Sequence, residues 1–185
     1  GDADLAASAR ATLDYLLRDM RHEGGAFFAA EDADSYEAED SSHKVEGAFY
    51  VWTKAEIAGA LGEEDAEIFY EVYGVREAGN APASGDPHGE FKGKNVLHLA
   101  RDAAAVAESM KIGAAEAEQS LQRGRAALLA LRAARPRPHR DEKIIVSWNG
   151  QAIAALARAG AAFDEPRYVE AAMCAARFIR AELYS

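Results

Sequence analysis

His139, Asp141, Lys143, Trp148 and Asn149 fall within one stretch, residues 135–150, which reads RPRPHRDEKIIVSWNG. An imidazole, a carboxylate and an ammonium group can exchange protons with a substrate. An indole face beside a carboxamide can hold a hydroxylated ring. Pro136 and Pro138 close the preceding helix, because proline has no N–H to continue it. If the Ala-rich helix that follows begins near Asp141, then Asp141, Ile145, Trp148 and Ala152 share one face, at offsets of four, seven and eleven. Asn149 lies about 80° around from that face, at ~100° per residue. The spacing therefore predicts an acid, an indole and an amide converging at one helix end. It also suits a structural use, with Asp141 complementing the helix dipole, Trp148 in the core and Gly150 allowing close helix approach.

The other chemistry-bearing segments are less specific. The loop over residues 31–46 carries seven carboxylates, from Glu31, Asp32, Asp34, Glu37, Glu39, Asp40 and Glu46. Asp32 and Asp34 suggest calcium, but an EF-hand loop started at Asp32 would need a ligand and then a glycine where Tyr36 and Glu37 stand. The segment GDPHGEFKGKN lacks the Walker spacing, so no phosphate cradle is expected. His88 and Glu90 within it fit a structural loop better than a site. His22, His43, His88, His98 and His139 show no HExxH spacing, and no metal centre or cofactor is expected. There is no GxSxG nucleophile elbow. Cys174 is the chain's one cysteine, so dithiol chemistry within the chain is excluded.

The elements that must position these residues read as mostly helical. Leu5, Ala9, Leu13, Leu16, Leu17 and Met20 form one stripe over residues 4–20, closed by Gly24 and Gly25. Residues 26–29 and 47–52 are short apolar, aromatic runs that read as the arms of a β-hairpin insertion, about 25–52. Thr53 and Glu56 form a capping box ahead of a helix to Leu61, with Gly62 as its stop. Further helices are expected over 65–73, 103–110, 114–134, 141–161 and 166–184, with irregular chain over 74–94.

The 185 residues suffice for one domain, taken as residues 1–185. A net charge of −10 argues against nucleic acid and anionic membranes as partners. No apolar run approaches membrane-spanning length, and the N-terminus lacks a signal-peptide pattern, so a cytoplasmic location is expected.

Four phrases, LRDMRHEGGAFFAAEDADS, EGAFYVWTKAEI, DPHGEFKGKNVLH and RPRPHRDEKIIVSWNG, together resemble the family of large thioredoxin-domain proteins associated with spermatogenesis. The resemblance runs over residues 12–160. It implies an all-α fold, a partial (α/α)6 toroid of helical hairpins with a small inserted β-hairpin. A thioredoxin-like domain would precede residue 1, and later hairpins would follow residue 185. The toroid part of that family is similar to N-acylglucosamine 2-epimerases and six-hairpin glycosidases. Gly24, Gly25, Phe27, Phe28, Tyr50, Val51 and Trp52 match the epimerase hairpin. The match departs at Thr53, where the epimerases carry a phrase with an arginine, and their paired catalytic histidines have no counterpart here.

The resemblance implies a carbohydrate-active or carbohydrate-binding toroid, epimerase- or isomerase-like, acting on a small-molecule sugar ligand. Its cavity would be lined by Asp32, Asp34, Tyr50, Trp52, Trp148 and Asn149 as binding residues. Asp141, His139 and Lys143 would be the catalytic candidates, with Asp141 the favoured acid or base. The alternative is a non-catalytic module that positions substrates or partners for a thioredoxin-like domain. A partial toroid would also leave apolar helix faces uncovered, which implies self-association.

Overall fold

The computed structural model describes residues 2–82, 86 and 89–184. The chain is mostly α-helical. In chain order its elements are α1 (Ala3–Asp19), β1 (Ala30–Glu31), β2 (Asp34–Ser35), β3 (Val45–Glu46), α2 (Lys54–Leu61), α3 (Glu63–Tyr73), α4 (Ala103–Met110), α5 (Ala114–Ala133), β4 (Arg140–Asp141), α6 (Val146–Phe163) and α7 (Pro166–Phe178). A π-helical turn, Ile179–Leu183, extends α7. Among the described residues, no helix is long and apolar enough to cross a membrane. The packing forms two compact units, one of Gly1–Asp32 with His139–Ser185 and one of Ala33–Pro138.

In the first unit, α6 and α7 form a helical hairpin around Asp164, which caps α6 in the left-handed conformation (φ 51°). Gly160 permits the close crossing, since a Cβ there would lie 2.4 Å from Cγ2 of Val169. Leu13, Phe27, Leu156, Tyr168, Ala171, Ala172 and Ala175 make the core. The buried Tyr168 hydroxyl donates to Asp14 at 2.7 Å, so its polar end is satisfied inside an apolar cluster. β1 and β4 pair antiparallel, with Ala30 opposite Asp141 and Glu31 opposite Arg140.

The second unit packs α2, α3, α4 and α5 around Trp52, Ile57, Phe69, Val72, Val106, Leu121 and Leu128. The expected capping box is present. Thr53 Oγ1 accepts from the Glu56 N–H, and Glu56 accepts from the Thr53 N–H at 2.7 Å. The irregular chain after α3 is tied down by two asparagines. Asn80 donates to the carbonyls of Gly74 and Val96. Asn95, fully buried, accepts from the Arg76 N–H and donates to the carbonyls of Trp52 and Arg76. His88 lies outside the described residues, and Glu90 is exposed with its N–H on the Asp86 carboxylate.

Two expectations need correction. The runs at 26–29 and 47–52 are not paired strand arms. Phe27 bridges to Arg21 and Trp52 to Asn95, while the paired strands of the hairpin are β2 and β3, inside the segment expected to be a loop. Gly47, at φ 67°, turns the chain, and the N–H groups of Tyr50 and Val51 both donate to its carbonyl. The aromatic run is wound into turns and cannot extend as an arm. The second correction concerns α6, which starts at Val146, five residues after Asp141. Backbone pairing of 140–141 with β1 and a side-chain turn at Asp141 take precedence there over helix formation.

Candidate functional site

In the first unit, the β1–β4 ribbon brings together residues far apart in sequence. The Asp32 N–H donates to the His139 carbonyl at 2.7 Å, and the Ala29 N–H donates to the Asp141 carbonyl at 3.1 Å. Asp32 thus sits opposite His139, one step beyond the paired residues, and Asp141 lies two positions on from His139. Residues two apart on a strand share a face, as do residues opposite one another. The ladder thus brings the backbones of Asp32, His139 and Asp141 together, on a strand ribbon and not at a helix start.

Asp141 is held as an anion. Its Oδ1 accepts the Lys143 N–H at 3.2 Å, an i→i+2 side-chain turn, and its Oδ2 lies 3.0 Å from Lys143 Nζ. The Lys143 hydrogen bonds, followed by the charges of Lys143 and His139, hold its carboxyl below the usual value of 3.8. This corrects the expectation of a tuned acid. An exposed carboxylate with a lowered pKa accepts hydrogen bonds and cannot supply a proton near neutrality.

The ribbon is tied to its surroundings by Arg140, a residue that the sequence did not single out. The Arg140 guanidinium lies 4.1 Å from the Phe28 ring centroid, donates to the Asp19 carbonyl at 3.0 Å and pairs with Glu142 at 2.7 Å. An arginine between a histidine and an aspartate read as one more charge in a charged loop. Its role depends on Phe28, which only the fold brings near.

Trp148 and Asn149 diverge. Trp148, in the first turn of α6, is 52% exposed. Asn149 is buried, and its amide clips the preceding chain. Its Oδ1 accepts the Phe27 N–H at 2.8 Å, and its Nδ2 donates to the carbonyls of Phe27 at 2.9 Å and Ile145 at 3.1 Å. With both amide hydrogens used, Asn149 is a backbone clamp and not a substrate ligand, which corrects its assignment.

Asp34, Tyr50 and Trp52 belong to the second unit. Asp34 is half-buried in β2, opposite Glu46. Tyr50 is exposed and packs edge-on against Phe49 at 5.0 Å, with the Arg132 guanidinium 5.3 Å from its ring centroid. Trp52 is 3% exposed beneath the guanidinium of Arg135, 3.9 Å from the ring centroid. Arg135 also donates to the carbonyls of Ala48, Phe49 and Val51 and to Glu56. Burial pushes the Glu56 carboxyl up, but the Thr53 hydrogen bonds and the Arg135 charge outweigh it and leave its pKa below the ordinary 4.5. Trp52 is therefore a covered core residue, contrary to its expected role as a stacking platform. A groove of about 700 Å³ beside it is lined by Glu56, Gly59, Ala60, Ala127, Ala130 and Leu131. Among the described residues, no cluster of His, Cys, Asp and Glu could hold a metal ion.

No family model matches the chain. An uncharacterised protein of Caenorhabditis elegans is 38% identical over 169 residues, which cover 88% of this chain and 23% of that protein. Spermatogenesis-associated protein 20 of Homo sapiens is 32% identical across 100% of this chain and 24% of its own length, and the Mus musculus protein of that name has the same identity and coverage. The helical chain belongs to the spermatogenesis-associated family. Three of its matched relatives carry the name spermatogenesis-associated protein 20, and the chain spans about a quarter of the length of the relatives it matches.

Proposed function

We propose that this chain forms part of an (α/α)6 toroid that binds a carbohydrate through the β1–β4 ribbon and the start of α6. The observation that carries this reading is the ribbon register, which sets Asp32 against His139 and leaves Asp141 two residues on. The ionised Asp141 and the adjacent Lys143 offer an acceptor and a donor side by side, a match for neighbouring sugar hydroxyls. Trp148 adds an exposed indole at the first turn of the following helix. The lowered pKa of Asp141 favours binding over acid catalysis, because the group is already deprotonated at neutral pH. The helical hairpin α6–α7 is the kind of unit from which such toroids are built.

The test is ligand-detected NMR with a panel of neutral sugars and sugar phosphates. Binding should be abolished by Trp148→Ala, weakened by Asp141→Asn and retained by Trp148→Phe. If no sugar binds, or if binding survives Trp148→Ala unchanged, the carbohydrate reading is wrong.

A second reading draws on a different observation. Asn149 is wholly engaged by backbone and Asp141 by Lys143, so the motif serves the fold of its own unit. In that reading the segment is a non-catalytic module that positions substrates or partners for a thioredoxin-like domain. It predicts no sugar binding, together with measurable association with such a domain.

A further inference from the structure

The first unit carries an apolar surface with a regular charge pattern on α7. Val169 is 38% and Met173 49% exposed, on a helix whose other side supplies Tyr168, Ala171, Ala172 and Ala175 to the core. With Gly160, Pro166 and Cys174 they line a shallow groove of about 530 Å³. Monomeric proteins seldom leave adjacent large apolar side chains in water without a use for them.

The charges bordering this surface identify its occupant. Glu170 and Arg177 are seven positions apart on α7, two helical turns, and so lie on one face with Met173 between them. Both are exposed, and among the described residues neither forms an ion pair. The groove is acidic towards the start of α7, where Asp164 and Glu170 stand. Towards the end its lining is basic, from Arg177; in the π-helical turn beyond, Arg180 is accompanied by Glu182. A surface with an acidic end and a basic end about an apolar centre is complementary to itself after a half-turn. Isologous dimers need that property, since every contact occurs twice.

We propose that this face of α7 is a self-association surface, on which a second copy of the chain docks antiparallel. Glu170 of each copy meets Arg177 of the other, and the two Met173 side chains meet near the dyad. The surface is separate from the ribbon proposed to bind carbohydrate, so either proposal can fail without the other.

Sedimentation velocity of the 185-residue chain over a concentration series provides the test. The expected result is a monomer–dimer equilibrium. Arg177→Glu should weaken it about tenfold, because one substitution sets like charges against each other at two symmetry-related contacts. Glu170→Arg combined with Arg177→Glu should restore it, and added salt should weaken the parent dimer. Both positions are exposed, so unchanged circular dichroism and thermal unfolding should accompany each variant. A chain that remains monomeric at every concentration overturns the proposal and leaves the face to a different partner. So does a dimer indifferent to Arg177→Glu, or a double swap that fails to restore association.

Discussion

Trp52 and Trp148 are the chain's two tryptophans, and their surroundings are opposite. Trp52 lies under Arg135, with its backbone bridged to the buried Asn95. Trp148 is half exposed, while its neighbour Asn149 takes the buried place. Each unit thus pairs a tryptophan with an asparagine that clamps the backbone, but the indole is inside in one and outside in the other. Tryptophan type alone did not distinguish a platform from a core residue. What distinguished them was an arginine within reach of the ring and the register of the buried amide.

The contrast can be broken most directly at the indoles. Trp52→Ala should cost about 3–5 kcal/mol in denaturant unfolding, the usual effect of truncating a buried aromatic. Trp148→Ala should cost clearly less, because about half of that side chain is exposed. A Trp148 cost as large as that of Trp52 would erase the distinction between the two rings. Next in size, Asn95→Ala and Asn149→Ala should each cost about 1–3 kcal/mol, because each leaves buried backbone groups unsatisfied. Comparable losses would establish the clamps as the shared element; a neutral Asn149→Ala would return that residue to the binding face. Thr53→Ala removes a side-chain cap that α6 does not have, and should cost about 1 kcal/mol, read as a shift of the unfolding midpoint.

The smallest effect concerns pH. Asp141 and Glu56 both have lowered carboxyl pKa values in the folded chain. Their contributions are therefore present above the unfolded carboxylate values, near 3.8 and 4.5, and are lost as pH falls through the lower folded values. Acid titration of Asp141→Asn should show a slightly shallower loss of stability than the parent. An identical acid limb in parent and variant would mean that the Lys143 interaction does not persist in solution.

Helix content was largely legible in the sequence because its signals are local. The Thr53–Glu56 capping box, Gly62, Gly74 and the prolines at 136 and 138 all act within a few residues. The start of α6 was misplaced because Asp141 answers to a strand partner at Ala30, and short-range periodicity carries no record of it. The backbone pairing of Asp32 with His139 is equally long-range, and spacing along the chain carries no sign of it. Arg135 and Arg140 went unnoticed because a stacked arginine looks like any surface charge until its aromatic partner is placed. Asn95 left one readable hint, an asparagine entering an apolar run after a Gly-rich stretch, which fits a buried turn clamp.

The first unit is discontinuous in the chain, since all of Ala33–Pro138 is inserted between β1 and β4. During synthesis from the N-terminus, the second unit becomes complete while α6 and α7 are still unmade. Its contacts, such as Arg123 with Asp65 and Asn95 with Trp52, close shorter loops than the β1–β4 ladder, which must close one that spans the whole insert. Folding order follows: the amides of α2, α3, α4 and α5 gain protection first in pulse-labelled hydrogen exchange, and the amides of Ala29 and Asp32 last. The ribbon that gathers Asp32, His139 and Asp141 is then the final piece assembled. A nascent chain stalled before residue 139 would hold a folded helical unit and no β1–β4 ribbon.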